Sequence, residues 1–415
     1  MNVLVLSHMF PNPVDACAGI FVLEQAKALR EAGVEVHVVS PTPWAPRLLR
    51  FHPSVRRYSV VPPTRRLEDF VVHYPPVPTL PRNIGFWLSG VVFYLSCRGV
   101  VSRLMQDVRI DVIHAHAVLP DGLCGVLLGR EFGLPTVCTA HGSDVNVYPR
   151  HNSLVRRATK WTLQHADRVI AVSENLKNEA LALGGDCPIS VVRNGAASTS
   201  FQAYSKPQAR STLGLNPAHK MVTFIGYLRA EKGVDHLLHA FASVRGGQVQ
   251  LCIVGDGPLR DSLISNAKRL GIFENCIFAG QRPHSEIPLW ISASDCVVLP
   301  SLSEGFPTIL PEVMLCGVPI VATAVGGVPE AVHDQETGWL VPPSNSSAIA
   351  HALRTLLTDE RLSSRVAASA QKMAMHSLTW DANARAMIEV YDDVVRRHVS
   401  STVKQRPPLQ SLSIH

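Results

Sequence analysis

The sequence predicts an α/β protein built from two doubly wound parallel-sheet domains. Short β-branched runs alternate with amphipathic helices from the start, as in NVLVLS, FVLEQAKALREAG and VEVHVVS, which is typical of βαβ units. This alternation stops after Asn194 and Gly195 and begins again at MVTFIG. A chain of 415 residues is also longer than one hydrophobic core usually holds. These observations predict two domains, each with a parallel sheet covered on both faces.

The first domain is predicted over residues 1–195. Further strands are expected at DVIHAH, PTVCTAH and RVIAVS, with helices near 121–132 and 154–165. The longest apolar run, over 84–97, has 14 residues, fewer than the roughly 20 that span a bilayer. We interpret this run as a buried helix, with contact to a membrane surface as the alternative. The Ser-, Ala- and Pro-containing stretch 196–218 lacks strand periodicity and is predicted to be a linker.

The second domain is predicted over residues 219–378, with strands at MVTFIG, VQLCIVG, CIFAG, DCVVLP and PIVAT. Helices are expected after Gly233 and over 259–270. A last helix over 379–399 is predicted to cross back to the first domain, and the tail 400–415 is predicted to be disordered. Because ligands of open parallel sheets bind beyond the carboxyl ends of strands, we expect the two sheets to face each other across a cleft.

Charge is distributed unevenly along the chain. Of the net charge of +6, residues 1–195 contribute +5, from 20 Lys and Arg against 15 Asp and Glu. Six arginines fall within 47–66, in a Pro-rich stretch with aromatic residues. This stretch is either a solvated loop or a patch for an anionic headgroup or phosphate. Nucleic acid is not expected as a partner, because the charge excess is small and no nucleic-acid-binding module is recognisable.

The cysteines and the N-terminus indicate a cytosolic protein. Nine cysteines occur without a C-x-x-C pair, mostly inside apolar strands or helices, and are expected to be reduced core residues. The opening MNVLVLSHMF has no basic lead-in and no small-residue cleavage site after its apolar run. We interpret it as a first strand and not as a signal peptide.

Two glutamates in SEGFPTILPE stand eight positions apart. On one helix, Glu304 and Glu312 would lie about 12 Å apart along the axis, too far to act as one acid pair. Proline is favoured in the first turn of a helix, so Pro307 and Thr308 are expected to open one. Glu304 is then predicted on the preceding loop, and Glu312 on the second turn of the helix.

Several polar and glycine-containing motifs follow the ends of predicted strands. They are Ala18 and Gly19, HGSD at 141–144, Asn194 and Gly195, GYLRAEKG at 226–233, GDGP at 255–258, and PSLSEGFPTILPEVMLCGVPIVATAVGGVPE at 300–330. Together they resemble the retaining glycosyltransferases of family 4, which have the GT-B fold of two facing Rossmann-like domains with a nucleotide-sugar between them. The resemblance extends over nearly the whole chain, and the run at 300–330 is its most specific part.

The resemblance implies roles for individual residues. Glu312 would accept hydrogen bonds from the ribose hydroxyls and Glu304 would lie near the donor sugar. Lys232 would neutralise the leaving nucleotide as a point charge. His141 would contact the donor phosphate or the transferred sugar, with a purely structural histidine as the alternative. We thus expect His141, Lys232 and Glu304 to be catalytic.

Further donor-binding residues are implied by the same resemblance. The backbone N–H groups over 306–309 and the helix end would face the phosphates, and Gly19 would let the backbone approach the substrate because a Cβ would intrude. The complete donor set also contains Arg229, Arg282, Gly305, Phe306, Pro307, Thr308 and Ile309. The acceptor side is assigned to Arg56, Arg57, Arg65 and Arg66.

One position departs from the family pattern. The family usually has arginine one residue after the first glycine of GYLRAEKG, where this chain has Tyr227. Arg229 lies two residues further on. It either supplies the missing charge or is an exposed loop arginine.

No metal or cofactor is expected. His114 and His116 share one strand face, so a metal pair is conceivable, but the sequence shows neither a third ligand nor a D-x-D pair. The resemblance implies a metal-independent enzyme whose only co-substrate is a nucleoside diphosphate sugar.

The resemblance implies transfer of a sugar, with retention, to a glycan or lipid-linked acceptor in bacterial polysaccharide or envelope glycan synthesis. The enzyme would act in the cytoplasm, at the inner face of the membrane. The alternative is a catalytically silent GT-B subunit that serves as a binding or membrane-associated scaffold. A nicotinamide oxidoreductase is excluded, because HMFPNPVDACAG follows the first strand in place of G-x-G-x-x-G.

Overall fold

A computed structural model describes residues 1–44, 56–79, 85–244 and 248–404 of the chain. These residues form two compact units. Unit 1 contains Met1–Ala171, Lys177–Val191 and the chain from Ala384 on, and unit 2 contains Val172–Leu176 and Val192–Asn383. Each unit has its own sheet, mostly parallel in unit 1 and entirely parallel in unit 2, which confirms the predicted α/β class with two sheet domains.

The sheet of unit 1 has eight described strands: β1 (Asn2–Leu6), β2 (Glu35–Val39), β4 (Thr64–Leu67), β5 (Phe70–His73), β7 (Val112–His116), β8 (Thr136–Ala140), β9 (Arg168–Ala171) and β10 (Ile189–Val191). A separate parallel pair is formed by β3 (Thr42–Trp44) and β6 (Pro76–Pro78). The order in the main sheet is β10-β9-β8-β7-β1-β2-β5-β4. Strands β1, β7 and β8 are therefore neighbours, and their carboxyl ends share one edge.

The edge strand β4 differs from the prediction of an entirely parallel sheet. It pairs antiparallel with β5, with Leu67 opposite Phe70. The two-residue turn between them includes Glu68, whose φ of 51° is in the left-handed region. Such a tight turn reverses the chain and allows only antiparallel pairing. This hairpin places Arg65 and Arg66 on a strand, and not on the loop that we expected.

Seven α-helices lie between β1 and β10 in the described part of the chain: α1 (Ile20–Glu31), α2 (Ser89–Asp107), α3 (Leu123–Phe132), α4 (Ser143–Asn146), α5 (Tyr148–His151), α6 (Ser153–His165) and α7 (Glu174–Ala182). The predicted helices at 121–132 and 154–165 are confirmed as α3 and α6. All residues of β7 and β8 are buried. The helices thus cover strands that are buried on both faces, as expected for a parallel sheet.

Helix α2 contains most of the longest apolar run and is longer than that run. Its buried side includes Phe93, Cys97 and Val101, which pack against β1 and β7 in the core of unit 1. Its other side is exposed, and Leu95 is 66% accessible. Among the described residues, the stretch Phe86–Asp107 is the one helix that is long and apolar enough to cross a membrane, by length and composition only. The prediction of a helix is confirmed, whereas the expectation that it is buried holds for one side only. Its contact with a membrane surface stays a prediction.

The sheet of unit 2 has six strands in the order β13-β12-β11-β14-β15-β16, all parallel. Their bounds are β11 (Lys220–Ile225), β12 (Val249–Val254), β13 (Cys276–Gly280), β14 (Cys296–Leu299), β15 (Ile320–Thr323) and β16 (Trp339–Val341). The first five match the predicted strands, whereas the three-residue β16 was not predicted.

The helices of unit 2 are α8 (Lys206–Thr212), α9 (Val234–Val244), α10 (Arg260–Arg269), α11 (Ile287–Ala293), α12 (Ile309–Leu315), α13 (Ser346–Thr358) and α14 (Glu360–Ser377). Phe224, Phe241 and Ile253 are buried in its main apolar cluster. This core holds the strand ends in place, and the strand ends carry the polar motifs found in the sequence.

The segment predicted to be a linker contains helix α8, which belongs to unit 2. Arg210 of α8 is buried, bonds Asp295 through Nη2 at 2.6 Å and donates from Nε to the carbonyl of Ala293 at 2.9 Å. Lys206 also bonds Asp295, at 2.6 Å. Burial alone would raise the pKa of the Asp295 carboxyl, but Lys206, the backbone N–H of Met221 and Arg210 together hold that pKa below its ordinary value.

Replacing Asp295 with Ala is expected to lower the free energy of unfolding by roughly 3–5 kcal/mol, because the buried guanidinium of Arg210 loses its counter-ion. The pKa of Asp295 is lowered by folding, so its contribution is complete above the ordinary value of 3.8 and declines as the pH falls below it. Urea unfolding at pH 7 and pH 3 measures both effects. Glu360→Ala, which removes the exposed partner of Lys220, is the matched control and should change little.

The last helix, α15 (Trp380–Lys404), contains the division between the units. Its start belongs to unit 2, where the N–H of Trp380 donates to the carbonyl of Ala196. In unit 1, Tyr391 is fully buried and its hydroxyl is 2.7 Å from His114 Nδ1. The helix continues beyond the predicted end at 399, and residues 405–415 of the predicted tail lie outside the described residues.

Candidate functional site

Lys232 and Glu304 are brought together in unit 2. Lys232 lies in a short 3-10 turn after β11, and Glu304 lies on the loop after β14, the strand that pairs with β11. Their carboxyl ends share one edge of the sheet, and Lys232 Nζ is 2.6 Å from Glu304 Oε1. Ser301 Oγ donates to the same carboxylate oxygen, also at 2.6 Å. Two residues predicted to be catalytic thus form an ion pair, in which the Glu304 side chain is only 9% exposed.

The loop that carries Glu304 is held by its own backbone. Thr323 Oγ1 donates to the carbonyl of Ser301 at 2.5 Å, and the N–H of Leu302 donates to the carbonyl of Glu231 at 2.7 Å. Gly326 has a φ of +52°, and a Cβ there would lie 1.8 Å from the carbonyl oxygen of Glu304. Only glycine therefore fits beside this loop.

Glu312 lies in the first turn of α12, and not in the second turn as predicted. The difference arises because α12 begins at Ile309, after Pro307 and Thr308. Glu312 Oε1 is 2.9 Å from Nε2 of His284, and the Glu312 side chain is 10% exposed. His284 was missed, although it follows β13 in QRPHSE, a strand-end position like those of the other motifs.

The turn before α12 has a fixed backbone. The carbonyl of Gly305 accepts from Gly327 N–H at 2.9 Å, and the carbonyl of the buried Phe306 accepts from Asn194 Nδ2 at 3.2 Å. Pro307 has no N–H, so it cannot donate to an anion as the predicted row of donors over 306–309 would require. The first N–H groups of a helix lack intrahelical partners, which leaves Thr308 and Ile309 at the position of the expected phosphate contact.

The two donor-side arginines are exposed in unit 2. The guanidinium of Arg229 lies 4.8 Å from the ring centroid of Tyr227 and 3.9 Å from Glu231. Arg282 Nε donates to the carbonyl of Ala279 at 3.0 Å. Among the described residues, neither guanidinium contacts Glu304 or Glu312, so their donor-binding roles stay predictions.

His141 belongs to a row of three histidines in unit 1, in which His114 and His116 are buried and His141 is half-buried. It directly follows β8, as predicted, and its Nε2 is 3.2 Å from Nδ1 of His116. The ring centroids of His116 and His114 are 4.1 Å apart. Burial, with a smaller contribution from the charge of His8, lowers the pKa of His141 to about 3, and burial likewise lowers the pKa of His116. The row is therefore neutral at physiological pH.

The possible metal pair of His114 and His116 is not supported by the positions of the nitrogens. His114 Nε2 is 2.7 Å from Thr139 Oγ1, and its Nδ1 is 2.7 Å from the hydroxyl of Tyr391. Both nitrogens of this ring are engaged. No group of three or more metal-ligating side chains occurs in the described parts of the chain.

Two carboxylates lie beside this row: Asp144, the last residue of the HGSD motif, and Asp121, which the sequence analysis did not identify as a site residue. The Asp144 carboxylate accepts backbone N–H bonds from Val118, His141 and Gly142 at 2.7, 3.2 and 2.9 Å. Asp121 is fully buried and bonds both the ring Nδ1 and the backbone N–H of His8. The position of Asp121 after β7 is the signal that would have identified it.

The packing within unit 1 requires glycine at position 19. Its φ is +57°, and a Cβ at this position would lie 2.1 Å from the carbonyl oxygen of Met9. We expected a side chain at this position to intrude on the substrate. In the structure it would instead collide with the loop after β1. The donor contact of Gly19 stays a prediction.

The acceptor-side arginines are exposed in unit 1. Arg56 and Arg57 lie at the short 3-10 helix Arg57–Val60, with the guanidinium of Arg57 over the ring of Tyr58. Arg65 and Arg66 are consecutive on β4, so their side chains point to opposite faces. The other two arginines of the cluster, Arg47 and Arg50, lie outside the described residues.

Comparison with known proteins identifies the family. The model of Glycosyltransferase Family 4 matches residues 18–198, and that of Glycosyl transferases group 1 matches residues 205–373. The chain is 28% identical over 403 residues to the putative teichuronic acid biosynthesis glycosyltransferase TuaC of Bacillus subtilis, covering 96% of this chain and 100% of that protein. It is 27% identical to N-acetyl-alpha-D-glucosaminyl L-malate synthase of Bacillus anthracis, covering 91% and 94% of the two chains.

Solved structures show the same fold. Sucrose-phosphate synthase from Thermosynechococcus elongatus has a TM-score of 0.81 at 21% identity, covering 96% of this chain and 100% of that chain. Anabaena Alr3699/HepE, solved in complex with UDP-glucose, has a TM-score of 0.72 at 22% identity, covering 95% and 100%. With the two family models over both halves, these findings confirm that the chain is a glycosyltransferase of family 4, in group 1, with the GT-B fold.

Proposed function

We propose that the protein is a retaining, metal-independent glycosyltransferase that moves a sugar from a nucleoside diphosphate sugar to a glycan or lipid-linked acceptor. The observation that carries this proposal is the ion pair of Lys232 and Glu304 on the same sheet edge as α12 with Glu312. A scaffold without activity would not need a buried carboxylate and an ammonium at the strand ends where ligands bind.

Glu312 is proposed to hold the ribose. A carboxylate is acceptor-only and can take two hydroxyl groups at once, each bond contributing roughly 1.5–3 kcal/mol. His284 Nε2, 2.9 Å away, holds one carboxylate oxygen in a fixed position. The binding atoms are therefore oriented before the nucleotide arrives.

Lys232 is proposed to neutralise the diphosphate. Its charge is balanced by Glu304, and a bound phosphate would share the ammonium, which has three donors. The bond between the anomeric carbon and the phosphate oxygen breaks, and the acceptor oxygen bonds that carbon on the same face. The acceptor proton passes to the leaving phosphate. Lys232 and the first N–H groups of α12 stabilise the charge that develops there.

The acceptor is proposed to bind unit 1, which contains the exposed arginines and the histidine row. A relative named for teichuronic acid biosynthesis supports an acceptor in bacterial polysaccharide or envelope glycan synthesis. A structural neighbour solved with UDP-glucose supports a nucleotide-sugar donor. We place the reaction in the cytoplasm, at the inner face of the membrane.

Calorimetry against UDP-, GDP- and ADP-sugars tests the donor proposal, and we expect one nucleotide base to be preferred. NMR of the transfer product reports the anomeric configuration, which should match that of the donor. Turnover should be unchanged in EDTA. Failure to bind any nucleotide-sugar favours the silent-scaffold alternative, inversion contradicts the retaining mechanism, and activity restored only by Mn²⁺ or Mg²⁺ contradicts metal independence.

Replacing Arg56, Arg57, Arg65 and Arg66 together with Gln is expected to lower the efficiency of transfer to a lipid-linked acceptor and to leave donor affinity unchanged. The loss should shrink as salt rises, because exposed charges more than about 8–10 Å apart are screened near physiological ionic strength. Transfer kinetics and liposome co-sedimentation at two salt concentrations measure it.

The matched control removes four other exposed arginines of unit 1, namely Arg103, Arg109, Arg156 and Arg157. If both variants lose equal efficiency, net charge and not this basic surface is responsible. Normal transfer and sedimentation in the first variant would exclude these arginines from the acceptor side.

A further inference from the structure

His8 and Asp121 form a polar pair at the carboxyl edge of the central strands of unit 1. His8 follows the end of β1, Asp121 lies between β7 and α3, and His141 follows β8. These strands are neighbours, so the three side chains belong to one edge of the sheet. The side chain of Asp121 is fully buried, whereas that of His8 is 35% exposed.

The pair has a defined orientation. Asp121 Oδ1 accepts the backbone N–H of His8 at 2.9 Å, and Oδ2 bonds the ring Nδ1. The ring of Phe93 on α2 lies edge-on, with centroids 6.2 Å apart. Among the described residues, the hydrogen bonds of His8 are to Asp121, and Nε2 has no partner. Nε2 is thus the ring atom left for a ligand.

Three titratable groups surround His8: Asp121, Asp144 and His141. Burial alone would lower the pKa of His8, but the carboxylate of Asp121, with a smaller contribution from Asp144, raises it above its ordinary value. The third group, His141, is neutral. Two carboxylates beside one imidazole do not favour an anionic ligand, whereas an uncharged hydroxyl is compatible with them.

We propose that His8 binds a hydroxyl group of the acceptor sugar through Nε2, and that Asp121 is the positioning residue that holds its ring. With the Nδ1 proton donated to Asp121, the Nε2 lone pair accepts a hydrogen bond from the sugar O–H. This inference rests on the proposed function, specifically on binding of the acceptor by unit 1.

His8→Ala is expected to lower kcat/KM for the acceptor by roughly tenfold to a hundredfold, the effect of losing one substrate hydrogen bond. The donor Kd and the slow hydrolysis of the donor without acceptor should stay within about twofold of wild type, because neither uses the acceptor hydroxyl. The acceptors are octyl glycosides of glucose, galactose and N-acetylglucosamine. His165→Asn, at an exposed histidine on α6, is the control and should behave as wild type.

Asp121→Asn tests the positioning role through the pH profile. Nε2 accepts the hydroxyl only in the neutral ring, so transfer declines as the pH falls through the pKa of His8. Removing the Asp121 charge lowers that pKa, and the acid limb of kcat/KM should move to lower pH. A purely structural role would lower activity at every pH without moving this limb.

Three results would overturn the inference. They are acceptor kinetics unchanged in His8→Ala, an acid limb unchanged in folded Asp121→Asn, and no transfer by wild type to any glycoside of the panel. If Asp121→Asn does not fold, the His8→Ala result decides alone, since His8 is partly exposed. Failure of the proposed function is distinct, because wild type would then neither bind nor hydrolyse any nucleotide-sugar.

Discussion

Replacing Lys232 with Met is expected to lower kcat for sugar transfer by roughly 10²–10³-fold, the usual loss when one preorganised group at a developing charge is removed. The leaving diphosphate would lose the ammonium that stabilises it, whereas the acceptor KM should change little. Steady-state transfer kinetics measure both values. A kcat within about twofold of wild type would exclude Lys232 from the reaction.

This variant needs a stability control, because it leaves the nearly buried carboxylate of Glu304 without its counter-ion. Lys220→Met is the matched control, since it also breaks a Lys–Glu pair in unit 2, but an exposed one. Lys232→Met with Glu304→Gln removes both charges. If the double variant regains the melting temperature but not kcat, the loss is chemical and not structural.

Replacing Glu312 with Gln is expected to weaken the affinity for the nucleoside diphosphate by roughly ten- to a hundredfold, equivalent to one charge-assisted hydrogen bond of about 1.5–3 kcal/mol. Gln is a sharper test than Ala, because Glu312 is buried against His284 and the amide oxygen can still accept from Nε2. Calorimetry with the preferred nucleotide measures the affinity.

Deoxy-nucleotides distinguish the loss of a ribose contact from a general loss of nucleotide affinity. Wild type should lose affinity when the 2′- or 3′-hydroxyl is removed. Glu312→Gln should lose less affinity, because its amide already forms a weaker hydrogen bond to these hydroxyls. Equal losses in both proteins would contradict the ribose assignment. Glu336→Gln, at a 72% exposed side chain, is the control and should bind as wild type.

Most elements of the fold could be predicted from the sequence. The runs NVLVLS, VEVHVVS and MVTFIG are strands β1, β2 and β11, and the helix after Gly233 is α9. These signals are local, because periodicity and glycine position depend on neighbours in the chain. The hairpin of β4 and β5, the short β16 and helix α8 were missed, since elements of three to seven residues are too short to show a clear periodicity.

The sequence also identified candidate site residues, because each motif directly follows the end of a predicted strand. The sequence placed Glu304 on a loop and Lys232 just before the helix expected after Gly233, and the structure agrees. It could not pair them, since they are 72 residues apart. Their contact depends on β14 lying beside β11, and strand order is not encoded in periodicity.

By itself, then, the sequence determined the α/β class, the two sheets, the strand ends that carry the motifs and the family that they resemble. Only the tertiary structure decided which side chains meet: Glu312 with His284, His8 with Asp121 across 113 residues, and Tyr391 with His114 across 277. The physical reason is that hydrophobic periodicity acts over a few residues. Pairing of buried polar groups follows from how distant elements pack, where each buried donor or acceptor must find a partner.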